Sequence, residues 1–200
     1  MARTLDIHTD QAEILARIMR AEEKVQSRLI RVSRLLGAAK IPYAVIGGHA
    51  VAAWVATKDE SLVRATRDVD VLVKPEDLQR IREVLEADGF IYRQVAEMDI
   101  FLDDVNSKAG DAVHVIFSGR KVRPDHVLPA PEVDNSGIGD GMSVIPLESL
   151  VRTKLVAWRD KDRVHLRDLI GVELIDESWP PRFQEPLQSR LQELIDNPES

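Results

Sequence analysis

The chain contains no cysteine. That excludes a disulfide framework and any thiolate-ligated zinc site, and it suits a reducing cytosol. No apolar run reaches the length of about 18 residues that a membrane-spanning helix needs. The first residues, Met1-Ala2-Arg3-Thr4-Leu5-Asp6, lack the apolar core of a signal peptide, so the expected location is the cytoplasm. An excess of positive charge is missing too: the net charge is -7, which leaves no overall footprint for nucleic acid. A local patch at Arg120, Lys121 and Arg123 could touch phosphate, but a solvated turn is the simpler reading. Internal repeats and low-complexity segments are absent. The glycine-rich stretch from Asp134 to Gly141 lacks the lysine of a phosphate-binding P-loop and reads as a plain connection. His8, His126 and His165 show no metal-ligand spacing.

With 200 residues, the chain fits one domain with helical extensions, large enough to bury roughly 70% of its unfolded surface. The expected organisation is an N-terminal helix (1–38), an α/β core (39–145) and a helical end (146–200). The spacing of Ile18, Val25, Leu29, Val32 and Leu36 predicts one apolar stripe on a helix from Asp10 to about Leu36, capped by Thr9 or Asp10. That helix packs on the domain or pairs with a second copy as a homodimer; its seam is short for a coiled coil. Strands are expected at Ile41–Ile46, Val69–Val73, Phe90–Gln94, Asp99–Asp103 and Ala112–Phe117. Helices are expected from Gly48 to about Thr57, from Lys74-Pro75 to Asp88, from Pro146 to about Arg159 and from Lys161 to Ile175. A last helix carries Leu187, Leu191 and Leu194 on one face. Trp54, Trp158 and Trp179 read as packing residues. The fold class is therefore mixed α/β, with a sheet of four to five strands and flanking helices.

One pair of elements stands out. Val45-Ile46 runs into Gly47-Gly48-His49-Ala50, a glycine pair opening a helix. Glycine lets backbone approach a ligand closely, and a helix N-terminus offers free N–H groups to phosphate. About twenty residues on comes Arg64-Ala65-Thr66-Arg67-Asp68-Val69-Asp70-Val71. Alternation places Asp68 and Asp70 on one face of a strand and Val69, Val71 and Val73 on the other. Two like charges on one face of a buried strand call for a cation between them. Mg²⁺, a hard ion that takes carboxylate and phosphate oxygens, is the obvious one.

The order Gly-Gly-His-Ala, helix, Arg-x-Thr-x-Asp-Val-Asp resembles the minimal nucleotidyltransferases of the polymerase-beta superfamily. Within it, the branch holding AbiE-type toxins and small bacterial relatives is the most similar. The match is strong over Tyr43 to Val73. It extends weakly to Lys154-Leu155-x-Ala157-x-Arg159-x-Lys161-Asp162 and Leu166-Arg167-Asp168-Leu169. The resemblance implies that Gly47 and Gly48 hold a nucleoside triphosphate and that Asp68 and Asp70 bind two Mg²⁺ ions, in the two-metal manner. It sets His49 near the phosphates. Arg64 and Thr66 brace the metal strand or contact phosphate, and Lys154 reaches phosphate from the helical end. The implied reaction moves a nucleotidyl group to a hydroxyl on tRNA, protein or a small molecule. A toxin role, with an antitoxin as partner, follows from the same branch.

The family usually adds a third carboxylate on a later strand. Here Ala112-Val113-His114-Val115 puts His114 where the aspartate is expected. Histidine can ligate a metal or take a proton, but it is a poorer partner for Mg²⁺ than carboxylate. Asp111 falls on the opposite face by alternation, and Asp99 and Asp103 on the neighbouring strand are the other acids within range. The runner-up function is therefore an impaired relative acting as a nucleotide- or protein-binding module.

Overall fold

A computed structural model describes residues 7–134, 138 and 141–197, and the statements below concern those residues. The chain begins with helix α1 (Ile7–Ala38), then strand β1 (Tyr43–Ile46) and helix α2 (Gly47–Ala56). Strand β2 (Val69–Val73) and helix α3 (Leu78–Ala87) follow, and then strands β3 (Ile91–Val95), β4 (Met98–Leu102) and β5 (Val113–Phe117). Helices α4 (Leu147–Ala157), α5 (Asp160–Gly171) and α6 (Leu187–Asp196) complete it. The five strands form one sheet in the order β1-β2-β5-β4-β3. Only β2 and β5 run parallel, and the other neighbours are antiparallel.

The mixed sheet with flanking helices is the architecture the sequence pattern implies, and β2 has the expected bounds. Other boundaries move for local reasons. α1 already runs through Thr9 and Asp10, so neither caps it. β1 starts at Tyr43, because Pro42 has no N–H to give to a ladder. Pro75 opens a short 3₁₀ turn (75–77), and the α-helix proper begins only at Leu78. Most of the glycine-rich stretch 134–141 lies outside the described residues.

Two apolar layers sandwich the sheet. On one face Val45, Val69, Val71, Val73, Val113 and Val115 pack under α1 and α3, against Leu29, Val32, Leu36, Ile81 and Leu85. On the other, Ala44, Ile46 and Leu72 pack under α2, α4, α5 and α6. The expected α1 stripe is buried at Val25, Leu29, Val32 and Leu36 but not at Ile18, which is 51% exposed. Ile14, Leu15 and Met19 around it are exposed too, so no described element covers this part of the helix. Past β1, the segment 143–145 adds a short parallel bridge: Val45 N–H donates to the Ser143 carbonyl and Ile145 N–H to the Val45 carbonyl. That backbone bonding protects the sheet's β1 edge.

α1 is pinned to the far end of β4 by a buried ion pair. Arg28 Nε and Nη2 donate to Asp103 Oδ2 at 2.8 and 2.6 Å. The Arg28 side chain is 1% exposed and its Nη1 has no hydrogen-bond partner. Removing the carboxylate would strand a buried cation, a change that costs about 3–5 kcal/mol. Asp103→Ala is expected to lower the unfolding free energy by about 3 kcal/mol or more in a urea titration. A loss within about 0.5 kcal/mol, the ordinary range for a surface change, would contradict this reading.

Candidate functional site

The register of the sheet assembles the site. Ile46 lies opposite Asp70, Asp70 beside His114, and His114 beside Ile100. These four therefore share one face, the face that carries α2 and α4. Gly47 follows Ile46 directly with φ +72, a left-handed turn that favours glycine. That turn swings the start of α2 over Asp70. A Cβ on Gly47 would overlap Asp70 Oδ2, and one on Gly48 would lie 2.5 Å from Thr66 Oγ1. The glycine pair thus clears space for the protein's own Asp70 and Thr66 before it clears space for any ligand. No side chain caps the start of α2. Its first N–H groups therefore keep their capacity for an anion.

Asp68 precedes β2 by one residue and, like Asp70, is half-buried. His114 Nδ1 lies 3.2 Å from Asp70 Oδ1, so the histidine stands beside the aspartate where the motif leads one to expect an acid. None of the three other acids replaces it. Asp99 pairs in register with Val115, on the opposite face, and is buried there, accepting a hydrogen bond from the Tyr92 hydroxyl. Asp103 is held by Arg28. Asp111 sits in a short 3₁₀ turn ahead of β5. Among the described residues, no group of three His, Cys, Asp or Glu side chains is close enough to hold a metal unaided.

His49 lies in the first turn of α2 with Nε2 buried and without a partner. Burial holds its pKa below the usual histidine range, against the opposing pull of the Asp70 and Asp68 carboxylates. Arg64 is turned to α5: its Nε donates to Asp168 Oδ2 at 2.7 Å. Asp168 thus receives a cation from the loop before β2, a pairing across 104 residues of chain. Arg64 is 62% exposed, so the pair contributes little to stability.

The helical end supplies charge that the sequence pattern did not show to be buried. Lys154 and Asp162 are 4% and 0% exposed, and their Nζ–Oδ1 distance is 3.2 Å. Arg159 donates to the same carboxylate from Nε at 2.7 Å and from its backbone N–H at 3.3 Å. Burial pushes the Lys154 pKa down while Asp162, and then the Asp70 carboxylate, push it up. Burial works to raise the Asp162 carboxyl, but Arg159 and Lys154 together hold it below the usual range. His165, on the same helix, also reaches this cluster. Its Nδ1 is buried and unpartnered, and burial, helped by the Lys154 charge, lowers its pKa to about 4. On one continuous helix, side chains at i and i+8 stand about 12 Å apart along the axis, too far to pair. Lys154 and Asp162 meet only because the chain turns at Trp158, with φ +49.

The site thus gathers Gly47, Gly48, His49, Thr66, Asp68, Asp70 and His114, with Lys154 within electrostatic reach of Asp70. Residues 6–198 match the family model described as "Uncharacterised nucleotidyltransferase". The chain belongs to this nucleotidyltransferase family. Enzymes of this kind take a nucleoside triphosphate and an acceptor, generally with a divalent metal. Solved structures of the same fold include the antibiotic-resistance factor ANT(2'')-Ia in solution, at 14% identity and TM-score 0.54 over 84% of this chain and 91% of that one. The crystal structure of ANT(2'')-Ia with adenylyl-2''-tobramycin matches at 16% identity and TM-score 0.53, over 84% and 97%. An antigenic nucleotidyltransferase-like protein from Paracoccidioides brasiliensis matches at 14% and 0.53, over 90% and 91%. No curated protein matches the sequence. No helix among the described residues is long and apolar enough to cross a membrane.

Two outcomes follow. Gly48→Ala is expected to destabilise by about 1–3 kcal/mol, the cost of overpacking, and by less in a Thr66→Ala background. Equal costs in both backgrounds would mean Thr66 is not what the glycine clears. His165 stays neutral when folded, so protonation favours the unfolded chain as pH falls from about 6.5 towards about 4. His165→Gln is expected to make the loss of stability over that window shallower in thermal melts, and an unchanged slope would contradict this.

Proposed function

We propose that this protein transfers a nucleotidyl group from a nucleoside triphosphate to a hydroxyl of a small molecule, forming a phosphodiester as the bond between the α- and β-phosphates breaks and pyrophosphate leaves, with Mg²⁺ held by Asp68 and Asp70. The observation that carries the reading is the contact of the α2 start with Asp70, made by a glycine turn with no room for a side chain. It puts free helix N–H groups and carboxylates within one ligand's span. Mg²⁺ keeps several waters and binds through one or two carboxylates plus substrate phosphates, so two protein acids fit it without a third. When bound, the metal would neutralise the triphosphate and polarise the phosphorus under attack.

The chain's own residues have separable tasks in this reading. The first turn of α2, opened by Gly47 and Gly48, binds phosphate through backbone N–H groups, and His49 lines the same turn. Thr66 fills the space under Gly48 and fixes the loop that leads into Asp68. Lys154 meets the triphosphate from the helical end. His114, beside Asp70, takes the proton of the acceptor hydroxyl, a task that suits imidazole near neutral pH. Arg64 is engaged with Asp168 and acts as a brace between the β2 loop and α5. The adenylylated antibiotic named with ANT(2'')-Ia, and the acidic balance of this chain, favour a small acceptor over RNA. The narrower AbiE-type kinship, with a toxin and its antitoxin, draws on the motif resemblance alone and is not part of this reading.

A second reading has one observation in its favour: His114 stands in the third acid's place. It makes the protein a nucleotide-binding module without turnover. The two separate cleanly. With Mg²⁺, α-labelled nucleoside triphosphates and a set of hydroxyl acceptors, the enzyme reading expects label transfer, reduced about 10²-fold or more in Asp70→Asn. No transfer or self-labelling with any of the triphosphates, and no effect of the substitution, would leave the binding module.

A further inference from the structure

We infer that Asp162 is a positioning residue of this cleft: it holds the Lys154 ammonium charged and fixed near Asp70, ready for the triphosphate. The inference rests on the proposed nucleotide reading and extends it to a residue that touches neither metal nor substrate.

The charge count carries the argument. A buried ion pair that served packing alone would be neutral. Asp162 instead takes two cations. Arg159 satisfies it from Nε, from Nη2 at 3.3 Å and from its own backbone N–H. The Arg159 side chain is 43% exposed, so water solvates the rest of its charge. Lys154 is then a second cation on a carboxylate already answered, and it is almost wholly buried. A buried charge in excess of its partners is costly unless another anion answers it. Asp162 and Arg159 act on Lys154 from the α5 side and Asp70 from β2, while His165, which Lys154 faces on α5, stays neutral. Leu155, next to Lys154, packs in one core with Ile46, which stands opposite Asp70, so Lys154 lies on the sheet face of the aspartate pair, and the Asp70 carboxylate acts on it. With a cation on Asp68 and Asp70, that charge is free for phosphate.

The chain turns sharply to make this arrangement. α4 stops at Trp158 in a left-handed conformation, and α5 starts two residues later at Asp160. Asp162 caps its own helix by accepting the Arg159 N–H, which fixes the carboxylate as part of the helix start. The Arg163 and Arg190 guanidinium groups both lie over the Trp158 ring, at 5.7 and 5.4 Å from its centre. The Arg190 Nη1 also donates to the Leu155 carbonyl at 2.6 Å, so α6 holds the end of α4 in place. Lys154 is thereby aimed by backbone, not by a flexible loop.

The test uses the full chain, Mg²⁺ and inorganic triphosphate, which needs no knowledge of the base, with binding followed by calorimetry from pH 6.5 to 9.5. Wild type is expected to bind and to weaken as Lys154 loses its proton. Asp162→Asn is expected to bind more weakly, by about tenfold once Lys154 has lost its proton in the variant but not in wild type, and to start its fall-off at lower pH, because only the Asp70 charge then opposes burial. Adding Lys154→Arg, whose charge does not titrate here, is expected to remove that fall-off. A merely structural Asp162 would lower the melting temperature and leave the pH profile where it was, which overturns the inference. Lys154→Met keeps the Asp162–Arg159 pair. It gives the same answer if Asp162→Asn does not fold, since a fall-off that persists without the lysine also overturns it. No binding by wild type at any pH would instead sink the nucleotide reading itself.

Discussion

At the end of β1 a single backbone turn meets a single carboxylate, and most of the site follows from that approach. The antiparallel pairing of β1 with β2 sets Ile46 across from Asp70. The left-handed Gly47 then folds α2 back over the acid so closely that even a methyl group would not fit. A residue with a side chain would have to lift the helix away, and the helix start and the aspartate would no longer share a ligand. His49 and Thr66 take their places from the same geometry. So does His114, because parallel pairing of β2 with β5 leaves it next to Asp70 whatever its chemistry.

The sheet face that presents Asp70 is also the one covered by the helical end. Ala44, Ile46 and Leu72 share a core with Leu150, Leu155, Leu166 and Leu169. Packing of that core fixes α4 and α5 beside the site, and with them the Lys154–Asp162–Arg159 cluster. The Arg64–Asp168 pair ties the loop before β2 to α5 from outside. Positive charge thus arrives on rigid helices, and negative charge on a rigid strand. The proposed reaction needs both, since phosphate must be attracted and its metal must be held.

Much of this was legible in the residues alone. The period-two alternation of Val69 to Val73 gives the strand, its bounds and the face of Asp70, because a one-residue slip would turn Asp70 into the apolar layer that holds the valines. The last helix follows from the spacing of Leu187, Leu191 and Leu194. What the residues do not reveal is contact between distant elements. Nothing in the pattern around Asp103 or Asp168 distinguishes a free acid from one held by Arg28 or Arg64. Lys154 and Asp162 fall on two successive expected helices, and nothing in either pattern says that the two side chains are buried against each other. The left-handed turn at Trp158 brings them together, and tryptophan gives no warning of it. Ile18 errs in the other direction, since an apolar stripe says which face would be buried and not where the partner surface ends.

The central claim is that Asp68 and Asp70 bind a divalent cation together with a nucleoside triphosphate brought there by the start of α2. Calorimetric titration of each nucleoside triphosphate into the full chain, with Mg²⁺ and with a chelator, tests it most directly. The account predicts binding at least about tenfold tighter with Mg²⁺, with that gain absent in the Asp68→Asn, Asp70→Asn double variant. Equal affinity with and without the metal, unchanged in the double variant, would contradict it.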